Sequence, residues 1–323
     1  MANIDIFNIK PTVISRTLRD KSILLFSKPK VGKTTFCAQA GALILGFEKG
    51  VNAIAGAYFQ PIYKWSDVKL VIRQLEKPEA HQLYETIAFD TVSIAFQLCE
   101  DYICAQNGVQ KIGDIPYGAG YQSLKKEWEA TLRKITMMDY GLILVAHEKT
   151  RLEAGPNDTT IEIIEPDLNK RAAEVCTGLV DLIAYIGTEF DENGNSTRYL
   201  YTRETPTIKA GSRFKYLSPK IPFGYTELTK ALAEAIEKAG ENGAKVVDKI
   251  EKQVEDVLDF NVVRAEAQDL WTKLVTKDET NATVILKKIE ITMGHKMKLS
   301  EFTEDQVSLL NLIVVEMRDM LQN

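Results

Sequence analysis

The chain has 323 residues, about the length of two domains at roughly 150 residues each. Its 45% hydrophobic and 26% charged residues suit a globular protein with a sizeable core, and no apolar run approaches the roughly 18 residues of a membrane span. A net charge of -5 excludes a global basic footprint, so any contact with nucleic acid has to come from local patches. The start, MANIDIFNIK, is polar and mixed in charge and reads as no signal peptide, so the expected location is the cytoplasm, with no membrane contact. The four cysteines (Cys37, Cys99, Cys104, Cys176) lack metal-ligand spacing and read as buried thiols in a reducing compartment. Residues 241–323 hold 11 Lys/Arg against 16 Asp/Glu, so the acidity belongs to the C-terminal part.

In chain order, residues 1–20 read as an N-terminal arm and 21–238 as one domain of alternating elements. SILLF (22–26), TIAFD (86–90), GLILVAH (141–147) and DLIAYIG (181–187) are too short for helices and read as buried parallel strands. Thr34–Leu45, Val92–Ala105 and Tyr121–Met138 carry helical periodicity between them. Strands alternating with helices predict a three-layer α/β domain with a mainly parallel sheet. DENGNS (191–196) is a turn signal before the alternating TRYLYTR (197–203), which predicts a hairpin. Residues 239–323 read as a linker and a small all-α module. It would begin with the amphipathic Val246, Val247, Ile250, Val254, Val257 and Leu258, and its last helix would start at a capping box, Thr303 to Gln306.

The strongest chemical signal is SKPKVGKTT (27–35), which follows a strand and opens a helix. In that setting Ser27, Lys28, Pro29, Lys30, Val31, Gly32, Lys33, Thr34 and Thr35 form a phosphate-binding loop, with backbone N–H groups and the helix N-terminus around the β-phosphate. Lys33 would reach the β- and γ-phosphate oxygens of ATP, and the Thr34 hydroxyl would bind Mg2+. Ser27 stands where this pattern usually has glycine. Asp90, ending TIAFD, is the candidate second Mg2+ group, although an aspartate there also ends a strand and caps a helix. Glu48, after the apolar run ALILGF, is the candidate base for the attacking water, with a solvated helix-end charge as the alternative. His147, at the tip of GLILVAH, is the candidate γ-phosphate sensor or else a satisfied histidine at a strand end.

This order of P-loop, glutamate, aspartate and polar strand tip resembles the RecA-like ATPase core. With PYGAGY (116–121), EPDLNKR (165–171) and TPTIKAGSRF (205–214), the chain resembles more narrowly the phage-encoded RecA-core ATP-binding proteins, a group that includes RecA-like single-strand annealing proteins. The resemblance spans about residues 20–230 and implies an ATP-hydrolysing recombination protein that binds single-stranded DNA and works as a homo-oligomer, ring or filament. It implies DNA contact through two loops: one near 106–122 with Lys111, Tyr117 and Tyr121, the other after His147 with Lys149 and Arg151. It also implies that Lys209 and Arg213 reach a neighbouring subunit's γ-phosphate. The acidic helical module suits docking of a single-strand-binding protein or another recombination or replication protein. A replication motor or helicase loader on the same core, and a nucleotide-switched binding protein with incidental turnover, are the alternative functions.

Overall fold

The computed structural model describes residues 13–48, 54–155, 159–247 and 258–322. One compact unit lies within Lys10–Lys252, and the described residues 258–322 belong to a second. The first runs β1 (Ile14–Ser15), β2 (Ser22–Ser27), α1 (Lys33–Gln39), β3 (Leu43–Gly46), β4 (Tyr58–Pro61), α2 (Trp65–Leu75), α3 (Ala80–Leu83), β5 (Thr86–Asp90) and α4 (Val92–Gln106). It continues with α5 (Ala119–Met137), β6 (Gly141–Ala154), β7 (Thr160–Pro166), α6 (Lys170–Leu179), β8 (Leu182–Phe190), β9 (Ser196–Tyr201), β10 (Gly211–Ser212), β11 (Lys220–Pro222), α7 (Tyr225–Glu241) and β12 (Val246–Val247).

The main sheet has the order β11-β9-β8-β2-β6-β5-β3-β4. From β8 to β4 every pair is parallel, and β9 and β11 extend the sheet antiparallel. Parallel strands covered on both faces read as continuous apolar runs, and β2 is buried at every position. Its side chains alternate between two cores. Leu24 and Phe26 pack with α2, α4, α5 and α6, whereas Ile23 and Leu25 pack with α1 and α7. Each such side chain contributes about 1.5–3 kcal/mol when fully buried, so the central strands anchor the three layers.

Three differences from the sequence expectations have local causes. The helix expected over 34–45 ends at Gln39, because Ala40 and Gly41 turn the chain and Leu43–Gly46 fits between β5 and β4 as a buried strand. The loop expected after His147 is a hairpin: β6 continues to Ala154 and pairs antiparallel with β7, where TIEII alternates at strand period. Val246 and Val247 form β12 against β1 rather than opening a helix. Ile250, Val254 and Val257 lie outside the described residues. The expected 191–196 turn does join the antiparallel pair β8–β9.

The second unit comprises α8 (Phe260–Lys277), α9 (Thr280–Met293) and α10 (Val307–Gln322). Leu270, Leu274, Ile285, Ile289, Leu310, Ile313 and Met317 are buried together, so the apolar stripe of α10 is this unit's own core. The Thr303 N–H donates to Gln306 Oε1 at 3.1 Å, completing the expected capping box in the short turn before α10.

Candidate active site

Because β2, β6, β5 and β3 are parallel, the last residues of β2, β5 and β3 meet at one edge of the sheet beside His147 of β6. Ser27 stands opposite His147, and Gly46 opposite Asp90. That edge is the crevice where open α/β sheets bind ligands. The chain leaves β2 through Lys30 (φ 64°) and Gly32 (φ 113°), and Gly32 is the N-cap of α1 with no side-chain cap bond. A loop turned twice through the left-handed region directs successive N–H groups inward, and the uncapped helix start adds its positive end.

Lys33 is buried and turns back into this loop. Its Nζ donates to the Ser27 carbonyl at 3.1 Å, Ser27 Oγ at 3.0 Å and the Lys28 carbonyl at 2.8 Å. Serine at the position that usually holds glycine therefore supplies an acceptor to the lysine. Burial pushes the Lys33 ammonium below its ordinary value, and the Asp90, Glu148 and Glu48 carboxylates oppose that shift. The Thr34 hydroxyl donates to Asp90 Oδ2 at 2.6 Å. Burial raises the Asp90 carboxyl above the ordinary aspartate value, and the Thr34 hydrogen bond works the other way.

The other two groups complete the arrangement. Thr91 Oγ1 donates to Glu48 Oε1 at 2.8 Å, and His147 Nε2 lies 3.9 Å from the same oxygen. His147 Nδ1 is buried and has no hydrogen-bond partner among the described residues. Gly46, two residues before Glu48, leaves room for the Phe59 ring of β4, since a Cβ there would lie 2.0 Å from that ring. Lys33, Thr34, Asp90, Glu48 and His147 are thus brought to one place from separate stretches of chain.

Thr34 and Asp90 are hard oxygen groups of the kind that hold Mg2+ together with phosphate oxygens. Among the described residues, no group of three or more His, Cys, Asp or Glu side chains could hold a metal ion by itself. The donor set fits an ion whose remaining ligands are phosphate and water.

The other expected groups lie elsewhere. Tyr117 is fully exposed on a backbone with φ 57°, and Lys111 is exposed as well. Tyr121 packs under the Arg171 guanidinium at 4.2 Å. Lys149 and Arg151 lie on the β6–β7 hairpin. With Lys170 and Lys209 they line a cleft of about 640 Å³ that also contains Glu165 and Glu204. Lys209 pairs there with Glu204 at 2.7 Å. Arg213 pairs with Asp181 at 3.1 Å and donates to the Gly178 carbonyl at 2.8 Å. Asp181 bonds Ser22 at the start of β2, about 17 Å along the strand from Ser27. Arg213 is thus held at the far end of β2 from the P-loop, and Lys209 lines a cleft that includes none of residues 27–35. Sequence reasoning missed Thr91 as the partner of Glu48, and also Arg198, which donates to the Val31 carbonyl in the P-loop. Only the fold joins residues 167 apart.

The parallel sheet, the P-loop after β2 and the carboxylates at the neighbouring strand ends define a P-loop nucleotide hydrolase of layered α/β fold. The comparisons with known proteins agree: an AAA domain matches residues 19–214, and the chain belongs to that family. It is 29% identical over 332 residues to the SPbeta prophage-derived uncharacterized protein YorG of Bacillus subtilis (strain 168), covering 98% of this chain and 99% of that one. Solved structures similar to it include the flagellar accessory protein FlaH of Methanocaldococcus jannaschii, at 12% identity and a TM-score of 0.34 over 64% of this chain and 85% of that one. The KaiC-like protein PH0186 of Pyrococcus horikoshii OT3 matches at 12% identity and a TM-score of 0.37 over the same shares. Among the described residues, no helix is long and apolar enough to cross a membrane.

Proposed function

We propose that this protein is a phage or prophage recombination ATPase that binds single-stranded DNA and couples that binding to Mg-ATP hydrolysis. One observation carries the reading: β6 runs without a break from the nucleotide site at His147 to Lys149 and Arg151, two and four residues further on. A change felt by His147 at the γ-phosphate has a direct covalent route to Lys149 and Arg151, the two cations of a solvent-facing hairpin. The cleft beside that hairpin collects Lys149, Arg151, Lys170 and Lys209, residues dispersed in the chain; Lys149 and Arg151 pair with Glu165 and Lys209 with Glu204, and a phosphate backbone would exchange for those carboxylates. Tyr117 adds an exposed ring of the kind that stacks on a base without reading its identity. The likeness to a prophage-derived protein over nearly the whole chain supports the phage assignment.

In this reading Glu48 orients and deprotonates the attacking water, with its carboxylate held by Thr91. Lys33 and the loop N–H groups balance the charge on the β- and γ-phosphates, and Thr34 and Asp90 hold Mg2+, which neutralises phosphate charge when bound. His147 senses whether the γ-phosphate is present. Fluorescence anisotropy of labelled oligo-dT tests the DNA half. Lys149→Ala with Arg151→Ala should weaken binding and flatten its salt dependence, by about 0.7 in log–log slope for each phosphate that the variant no longer neutralises. Wild-type affinity and slope in that double mutant would exclude the hairpin as a DNA surface.

A further inference from the structure

The P-loop is held from outside by the antiparallel edge of the sheet. Arg198, on β9, reaches over and donates from Nη1 to the Val31 carbonyl. Its guanidinium carbon lies 5.5 Å from the centroid of the Phe223 ring, and the Phe223 N–H donates to the Arg198 carbonyl at 2.9 Å. Phe223 stacks in turn on Phe36 of α1, with centroids 6.2 Å apart and planes 18° from parallel, and Phe36 is buried. Gly32 faces the same pair: a Cβ there would lie 3.3 Å from Phe223 Cε1 and 3.4 Å from Arg198 Nη1. Guanidinium, phenyl ring, loop crest and first helix form one packed block.

We infer that Arg198 is a positioning residue for nucleotide binding, bracing the Val31–Gly32 crest so that its N–H groups stay turned toward the phosphates. A loop whose N–H groups converge on one point turns carbonyls outward, and a charged donor on an outward carbonyl fixes that peptide plane. Arginine suits the task because its planar fork donates to an oxygen while its face rests on an aromatic ring. The crest needs such a hold because Lys30 and Gly32 both occupy the left-handed region, which Lys30 does not favour. The same contact ties the β8–β9 hairpin to the nucleotide site, so a partner that moves the hairpin would change nucleotide affinity. The inference rests on the P-loop being a nucleotide site and is independent of DNA binding.

The test is equilibrium binding of a fluorescent ADP, with steady-state ATP turnover, for wild type, Arg198→Met and Arg198→Lys. The methionine keeps an apolar stem and removes every donor. Its Kd and KM should rise about tenfold, the low end for a hydrogen bond from a charged group because Arg198 is solvent-exposed. The effect on kcat should stay within about threefold, and Arg198→Lys should recover part of the affinity through its remaining donor. A loss confined to kcat, or wild-type affinity in Arg198→Met, would refute the brace. Should Arg198→Met fail to fold, Arg198→Leu, which also carries no donor, takes its place under the same criterion. A wild-type protein that binds no fluorescent ADP would instead overturn the nucleotide site itself, so the two failures are distinct.

Discussion

Thr91→Val replaces a hydroxyl by a methyl of nearly the same shape at a buried position. The hydroxyl donates at 2.8 Å to the Glu48 oxygen that also lies 3.9 Å from His147 Nε2. Without it Glu48 keeps its charge but loses the donor that fixes its direction. A hydrogen bond to a charged group contributes about 1.5–3 kcal/mol. The Glu48 side chain is 43% exposed, so water replaces part of the lost bond. The remaining loss is about 1–2 kcal/mol, or about 5- to 30-fold in kcat if the aim of Glu48 matters only in the chemical step. Phosphate release at saturating Mg-ATP measures it, with thermal melting to confirm that the core is intact. Thr91→Ser keeps the donor and should turn over near the wild-type rate. Glu48→Gln should still bind ATP but lose more, about 10²- to 10⁴-fold, because it removes the base itself. A Thr91→Val enzyme with wild-type kcat, or with its loss confined to KM, would refute the role of Thr91 in aiming Glu48.

Burial raises the Asp90 carboxyl, so its favourable contribution to stability is present at low pH and is lost as pH rises through its folded-state pKa. Asp90→Asn should therefore melt higher than wild type without nucleotide near neutral pH, by about 2–4 °C per kcal/mol relieved, with the gap closing toward about pH 4. The same variant should lose Mg-dependent turnover, and a lower melting point at neutral pH would contradict the cost assigned to the buried carboxylate. Tyr117→Ala with Lys111→Ala should weaken oligo-dT binding, with stacking worth about 1–3 kcal/mol per base, and leave ADP affinity unchanged. Unchanged oligo-dT affinity would remove this loop from the DNA path. If Lys209 or Arg213 acts across a subunit interface, mixing either alanine variant with Lys33→Ala protein should restore turnover above that of both separately. A mixture no more active than its components would leave Arg213 as the partner of Asp181 and Lys209 as a cation of the hairpin cleft.

The elements legible in the sequence are those whose signal is local. SILLF, TIAFD and GLILVAH announce themselves as short apolar runs because strands buried on both faces need no alternation, and SKPKVGKTT carries its own turn and helix start. Lys33, Thr34 and Asp90 follow from those elements, since strand ends of a parallel sheet share an edge. ALILG misleads because four apolar residues soon after a helix continue its pattern, and only the place between β5 and β4 makes them a strand. The β6–β7 hairpin is obscured by its charged residues, whose alternation resembles a polar loop. Arg198 carries no local signal of its role: it lies in an exposed alternating strand, and its value comes from a carbonyl 167 residues away. Thr91 follows Asp90 visibly enough, but its hydroxyl acquires a purpose only when Glu48 arrives from the end of another strand.

In the proposed function, ATP turnover is made at the P-loop and driven by single-stranded DNA. Steady-state phosphate release from Mg-ATP, with and without oligo-dT, in wild type and Lys33→Ala tests both parts at once. Wild type should turn over slowly, and oligo-dT should accelerate it several-fold. Lys33→Ala should show no turnover above background under either condition, because the cation that meets the β- and γ-phosphates is gone. Wild-type turnover in Lys33→Ala would contradict the site, and a wild-type rate indifferent to oligo-dT would contradict the coupling.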